Sequence, residues 1–167
     1  MPLLIISLLF AVLSCKTNTK TGENDEQNFT PCAVKIDSAC VFESEDTVIF
    51  RKLMKIAKHE NWHALTTAER TINVAKYFVG TPYVANTLES DKQETLVINF
   101  RGLDCTTFVE NVFVISSMIG KRSFFFDAYC DELTKTRYRD GKLDLYISRL
   151  HYFTEWMYNN SKKGLIE

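Results

Sequence analysis

The residue best placed for chemistry is Cys105, in the segment Arg-Gly-Leu-Asp-Cys-Thr-Thr-Phe-Val-Glu at positions 101–110. Asp104 is a favourable helix N-cap, and the apolar run that follows predicts a buried helix over 108–119. The free N–H groups and positive dipole end of a helix start favour a thiolate, and the same N–H groups can hold the oxyanion of acyl transfer. On spacing alone, Cys105 is either a nucleophile or a buried structural cysteine.

A second constellation is His59-Glu60-Asn61-Trp62-His63, which matches the H-E-x-x-H pattern of zinc metallopeptidases. On a helix, two His at this spacing share one face and bind zinc, while the Glu acts as general base. No further His follows at a metzincin spacing, and Glu69 lies too close to be the usual downstream ligand. A zinc metallopeptidase therefore stays an alternative function, and the main interpretation includes no metal and no cofactor.

The composition fits one globular domain with a sizeable core. The chain has 167 residues, of which 46% are hydrophobic and 25% charged, and its formal net charge is −1. This balance argues against a disordered chain and provides no basic excess for nucleic acid, so no nucleic-acid partner is expected. Twelve Phe and seven Tyr predict an aromatic-rich core.

The first 15 residues have the character of an export signal. Residues 3–13 form an apolar run broken only by Ser7, too short to span a bilayer as a helix, and Cys15 follows it. The pattern resembles a bacterial lipoprotein signal with Cys15 as the lipidated residue, although no Lys or Arg precedes the run. Polar residues then predict a flexible tether over 16–40. We expect an exported protein, periplasmic or anchored to the outer membrane by its lipid; an apolar first helix of the domain is the alternative.

Cysteine spacing gives no zinc pattern, because the five cysteines contain no Cys-x-x-Cys pair. In an oxidising compartment Cys32 and Cys40 could form a disulfide, a question that the sequence leaves open. A working thiol at Cys105 has to stay unpaired.

Helical patterns lie on both sides of Cys105. Thr66 and Glu69 form a predicted capping box that opens one of these helices, and Gly80 with Pro82 ends it. Its predicted buried residues are Ile72, Ala75, Phe78 and Val79. The other predicted elements are helices over 47–63, 108–119, 124–135 and 143–159, a short strand over 96–100 and a turn over 138–142.

Two motifs carry a family resemblance. Gly80-Thr-Pro-Tyr83-Val, followed by Leu103-Asp-Cys105-Thr-Thr-Phe, resembles the paired Gly-x-Pro-Tyr and Asp-Cys motifs of the NlpC/P60 superfamily of papain-like cysteine hydrolases. The longer strings at 81–89, 103–111 and 146–153 are similar to the branch of N-acetylmuramoyl-L-alanine amidases. The resemblance covers about residues 50–167, with three motifs in the expected order.

The resemblance implies an α+β, papain-like fold and an amidase of peptidoglycan or muropeptides that cuts between the muramic-acid lactyl group and L-alanine. By this resemblance Cys105 attacks the amide carbonyl, and Tyr83 lies at the oxyanion side with its hydroxyl near the thiolate; a core aromatic is the other interpretation of Tyr83. Asp104 orients the substrate or caps the helix, and Arg149 and His151 line the substrate groove. We expect a monomer whose substrate is peptidoglycan.

The general acid that the family supplies from a strand is not evident in the sequence. Of the three His, only His151 follows Cys105, and it falls in a predicted helix. We therefore expect 41–167 to be the N-terminal, mainly helical part of the domain, with the catalytic His and the sheet beyond it. A non-catalytic cell-wall-binding lipoprotein, with the cysteine helix but no base, is a further alternative.

Overall fold

Five helices and two short strands make up the part of the protein that the computed structural model describes, residues 40–89 and 93–166. Strand β1 (Cys40–Val41) pairs in parallel with β2 (Leu96–Val97). The helices are α1 (Ser44–His59), α2 (Thr67–Tyr77), α3 (Cys105–Gly120), α4 (Phe126–Arg137) and α5 (Phe153–Lys162). The described chain is thus mostly helical with a small two-stranded sheet. The predictions for the export signal, Cys15, Cys32 and the tether before residue 40 lie outside the described residues.

Helix α1 is shorter at its C-terminal end than the predicted span 47–63. It begins with a capping box in which Glu43 and Asp46 bond each other's backbone groups, and it ends at His59. Asn61 then adopts a left-handed conformation with φ 54°, which no continuing helix allows. A separate 3-10 turn, Trp62–Ala64, follows.

The predicted capping box at Thr66 is confirmed. The backbone N–H of Glu69 donates to the Thr66 hydroxyl at 3.3 Å, and the Thr66 N–H donates to the Glu69 carboxylate at 3.0 Å. The predicted buried face of α2 is partly wrong, because Ile72 and Val79 are exposed. Arg70 occupies the interface with α3 instead, where its Nε donates to the Ser116 carbonyl at 2.7 Å.

Helix α3 runs through the centre of the core, as its apolar sequence predicts. The predicted aromatic content of the core is also confirmed, since rings of Phe50, Phe100, Phe126 and Tyr129 contact one another. Helix α4 and the 3-10 turn Arg139–Gly141 match the predicted helix and turn in this part of the chain.

The predicted helix over 143–159 is wrong in its first half. Residues 143–152 hold a 3-10 turn, Tyr146–Ser148, and an isolated antiparallel bridge between Tyr138 and Arg149. The Leu150 N–H donates to the Arg137 carbonyl at 3.0 Å, which holds this segment against the end of α4. Helix α5 starts only at Phe153. Likewise, only the first two residues of the predicted strand 96–100 belong to β2.

A buried ion pair connects α3, α4 and the sheet. Arg137 Nε donates to Glu110 Oε2 at 2.8 Å, and both side chains are 2% exposed. The Nη1 group of the same guanidinium donates to the Val97 carbonyl at 2.6 Å. One side chain thus fixes the central helix relative to its neighbouring helix and to β2.

Within residues 40–89 and 93–166, none of the helices combines the length and apolar character that crossing a bilayer requires.

Replacing Arg137 by Met should strongly destabilise the protein, because it leaves the Glu110 carboxylate buried without its partner. We expect the free energy of unfolding to fall by about 3–5 kcal/mol in chemical denaturation. The matched control is Lys135→Met, which removes the more exposed pair with Glu132 and should cost less than about 1 kcal/mol. Equal losses in the two variants would show that the buried pair is not what holds α3 in place.

Candidate active site

Cys105 is the first residue of α3, and its side chain is exposed although most of the helix is buried. Asp104 is the N-cap, as predicted. Its carboxylate Oδ1 accepts from the Thr107 N–H at 2.7 Å and from the Thr107 hydroxyl at 2.8 Å, while the Asp104 N–H donates to Thr107 Oγ1 at 2.9 Å. This capping box fixes the helix start, and with it the position of the thiol.

The turn that leads to Cys105 is held by two side chains that the sequence analysis did not single out. Asn99 Oδ1 accepts from the backbone N–H groups of Arg101 at 2.9 Å and Gly102 at 3.1 Å. The buried Asp46 carboxylate accepts from the Phe100 N–H at 2.9 Å and from Arg101 Nε at 3.2 Å. An Asn shortly before a glycine is the local signal for the first contact. The second joins residues far apart in sequence and leaves no local signal.

Tyr83 is brought to the thiol by a short backbone pairing. The Val84 N–H donates to the Leu103 carbonyl and the Leu103 N–H donates to the Pro82 carbonyl, both at 3.1 Å. This parallel bridge lies two residues before Cys105. The Tyr83 side chain is 72% exposed, so the interpretation as a core aromatic is wrong.

Gly102 allows the close approach of these two segments. A Cβ at this position would lie 2.6 Å from Val84 Cγ2, well inside van der Waals contact. The glycine that precedes the Asp-Cys motif is therefore required by packing against the Tyr83 segment.

A cavity of about 290 Å³ lies beside the thiol. It brings together three of the predicted site residues, Cys105, Tyr83 and Asp104, and its other lining residues are Phe78, Thr81, Leu103 and Phe108. A thiol, a phenol and a carboxylate thus line one mainly apolar space, a combination that is common in ligand pockets.

The other two predicted site residues do not line this cavity. Arg149 is 5% exposed, and its guanidinium forms ion pairs at 3.1 Å with Glu89 and with Glu94. His151 is exposed and lies outside any helix, with Nε2 at 2.8 Å from the Tyr146 carbonyl. The buried Glu94 carboxylate also accepts from the Tyr138 hydroxyl, at 3.0 Å, and burial raises the pKa of that phenol above its usual value. These contacts give Arg149 a place in a buried polar network, and its substrate role stays a prediction.

The H-E-x-x-H segment, residues 59–63, does not have the geometry that a zinc metallopeptidase needs. His59 ends α1, whereas His63 lies in the following 3-10 turn, so the two imidazoles do not share a helix face. The Glu60 carboxylate accepts a hydrogen bond from Trp62 Nε1 at 2.8 Å. Among the described residues, no group of three or more His, Cys, Asp or Glu side chains is arranged to hold a metal ion.

Substituting Gly102 by Ala should push the Tyr83 segment away from the helix start. We expect the free energy of unfolding to fall by about 1–3 kcal/mol, because the new Cβ overlaps the Val84 side chain. The double variant Gly102→Ala/Val84→Ala removes the nearest clashing atom and should recover part of this loss, a coupling measurable in a double-mutant cycle. Strictly additive effects would contradict the close contact.

Comparison with known proteins identifies the family of this chain. The profile of the N-acetylmuramoyl-L-alanine amidase-like family, AmiA-like, matches residues 73–167, more than half of the chain. A solved structure of an N-acetylmuramoyl-L-alanine amidase from Bacteroides uniformis is similar, with 41% identity, a TM-score of 0.55, and coverage of 59% of this chain and 41% of that one. No curated protein matches.

Two further solved structures resemble the chain. A Bacteroides fragilis protein provisionally named a xylanase shows 42% identity and a TM-score of 0.53, covering 56% of this chain and 41% of that one. A Legionella pneumophila protein of the DUF1460 family shows 26% identity and a TM-score of 0.57, covering 72% and 38%. The chain spans about two fifths of the length of these structures. With more than half of its residues matched by the family profile, this chain belongs to the N-acetylmuramoyl-L-alanine amidase-like family.

Proposed function

We propose that this chain carries the nucleophile of a cell-wall amidase that hydrolyses the N-acetylmuramoyl-L-alanine bond of peptidoglycan or muropeptides. The observation that carries the proposal is the exposed thiol of Cys105 at the first residue of α3, in one cavity with Tyr83 and Asp104. Family membership supports the cell-wall substrate. The assignment of Cys105 as the nucleophile rests on the geometry of the helix start.

In the proposed reaction, the Cys105 sulfur attacks the lactyl carbonyl carbon and forms a C–S bond. The tetrahedral intermediate then collapses, the C–N bond breaks, and the amine of L-alanine leaves with a proton. Water then attacks the resulting thioester, the C–S bond breaks, and the lactyl carboxylate and the Cys105 thiolate are released.

Backbone groups at the start of α3 are suited to hold the oxyanion. The carboxylate of Asp104 occupies the Thr107 N–H, and the carbonyl of Asp104 accepts from the Phe108 N–H at 2.9 Å. The N–H groups of Cys105 and Thr106 stand before these in the first turn, where a helix has no partner of its own to offer. We assign the oxyanion to these two groups, with the Tyr83 hydroxyl as an additional donor.

We propose that the general acid is a His from outside the described cavity lining, which contains none. We propose that a papain-like, NlpC/P60-type fold provides it on a sheet, together with a third residue that orients the His. Residues 41–167 then form the helical part of that domain, in agreement with the two fifths of the related structures that the chain spans. By the same proposal, Arg149 and His151 lie along the substrate groove.

Export completes the proposal. Residues 1–15 act as a lipoprotein signal, Cys15 carries the lipid, and residues 16–39 tether a monomeric domain to the membrane, since Cys40 already belongs to β1. This would place the thiol next to peptidoglycan, in the periplasm or at the outer membrane.

A glycosidase, suggested by the name of the Bacteroides fragilis relative, fits the cavity less well. Glycosidases generally use two carboxyl groups placed on either side of the scissile bond. Among the residues that line the described cavity, Asp104 alone carries a carboxylate, and one of its oxygens is committed to the helix cap. The thiol is the group that favours amide chemistry.

An activated ester tests the nucleophile separately from the general acid, because a 4-nitrophenolate leaving group needs no proton. We expect the lactyl 4-nitrophenyl ester of N-acetylmuramic acid to acylate the 167-residue chain on the tryptic peptide 102–121, which contains Cys105. Mass spectrometry should find this adduct abolished in Cys105→Ala and retained in the control Cys40→Ser. Equal acylation of the Cys105→Ala variant would overturn the assignment, and muropeptide binding without any acylation would favour a non-catalytic binding protein.

Replacing Tyr83 by Phe should slow the same acylation by about tenfold, because one donor to the developing oxyanion is lost while the ring is kept. The Tyr146→Phe variant is the matched control, since Tyr146 is also exposed but does not line the cavity. Stopped-flow release of nitrophenolate measures both rates. An unchanged rate in Tyr83→Phe would remove this residue from the oxyanion site.

A further inference from the structure

Two cysteines outside the cavity meet in the core. Cys40 lies in β1 and is half-buried, whereas Cys130 lies in α4 and is 9% exposed. Cys40 packs against the hydrophobic cluster that includes Cys130, and the two thiols are close enough for each to shift the pKa of the other. Neither thiol has a role in the proposed amidase chemistry.

An aromatic contact nearby joins the same two parts of the chain, the segment that contains β1 and the start of α4. The rings of Phe42 and Phe126 meet edge to face with centroids 5.0 Å apart. Cys40 stands two residues before Phe42 in an extended segment, a step of about 6.5 Å that returns to the same face. Cys130 stands four residues after Phe126 on α4, a rise of about 6 Å on the same helix face. Cys40 and Cys130 therefore lie on the same faces of their segments as Phe42 and Phe126, which are in contact.

The surroundings distinguish the two thiols chemically. The hydrogen bond with Cys130 and the nearby Arg137 guanidinium lower the pKa of Cys40. The hydrogen bond with Cys40 and burial raise the pKa of Cys130. Cys40, the more accessible of the two, is therefore the thiol that reacts first with an external disulfide.

We propose that Cys40 and Cys130 form an intramolecular disulfide when the protein meets an oxidising environment. The Cys40 thiolate attacks a low-molecular-weight disulfide, forms a mixed disulfide and releases one thiolate. The Cys130 thiol then loses its proton and attacks the Cys40 sulfur, which expels the second thiolate. Two protein thiols are oxidised and one external disulfide is reduced to two thiols.

This pairing differs from a Cys32–Cys40 disulfide, which the sequence leaves open, and it does not involve Cys105. It would attach β1, where the described chain begins, to the helix that carries Arg137. Because the cross-link closes a long loop, it should stabilise the fold by restricting the unfolded chain. The inference does not depend on the proposed amidase function.

Oxidation of the full chain with oxidised glutathione, followed by non-reducing tryptic mapping, tests the proposal. Trypsin places the relevant cysteines on separate peptides: 21–35 with Cys32, 36–51 with Cys40, 102–121 with Cys105 and 123–135 with Cys130. We expect a link between peptides 36–51 and 123–135 and a rise in Tm of about 5–10 °C on oxidation.

The Cys32→Ser variant should keep both the link and the rise in Tm, whereas Cys130→Ser should lose them. Cys40→Ser, which changes a less buried site, should lose them as well and covers the case in which Cys130→Ser does not fold. A link between peptides 21–35 and 36–51, or free Cys40 and Cys130 thiols after oxidation of the folded protein, would overturn the proposal.

Discussion

The contact between Arg137 and Glu110 sets the position of the central helix, and with it the position of the proposed nucleophile. Glu110 lies five residues, about 1.4 turns, after Cys105 on α3, and its carboxylate accepts from a guanidinium that also donates to the Val97 carbonyl. Two buried charges are costly unless they meet with good geometry. Any shift of α3 along its axis would break this contact, so the ion pair restricts where the helix can start.

The exposed N-terminal end of α3 and its buried remainder are held in place by different interactions. Beyond Glu110, the helix is fixed by apolar packing, whereas its first turn is fixed by hydrogen bonds of Asp104 with Thr107. Asn99 and Asp46 hold the preceding turn in the same way. Polar contacts can order a segment without covering it, which is what a reactive side chain at the surface requires. The site therefore combines a rigid backbone with an accessible thiol.

Features encoded by neighbouring residues could be predicted from the sequence. The caps at Thr66 and Asp104 depend on residues three positions apart, and both are present in the structure. The segment before α5 could not be predicted, because its shape depends on Arg149 pairing with Glu89, sixty residues away. The burial of Arg70 on α2 has the same origin, since its acceptor is a carbonyl of α3. In a sequence, a charged residue that is buried at an interface cannot be distinguished from a solvent-exposed one unless its distant partner is known.

Competitive alkylation measures the central claim most directly, because it asks which thiol the fold presents. The 167-residue chain would be treated under reducing, native conditions with substoichiometric iodoacetamide, and the label on each tryptic peptide would be counted over time. The account predicts that Cys105 is labelled well before Cys40, and that Cys130 reacts only after unfolding. Labelling of Cys40 or Cys130 ahead of Cys105 in the folded protein would contradict it.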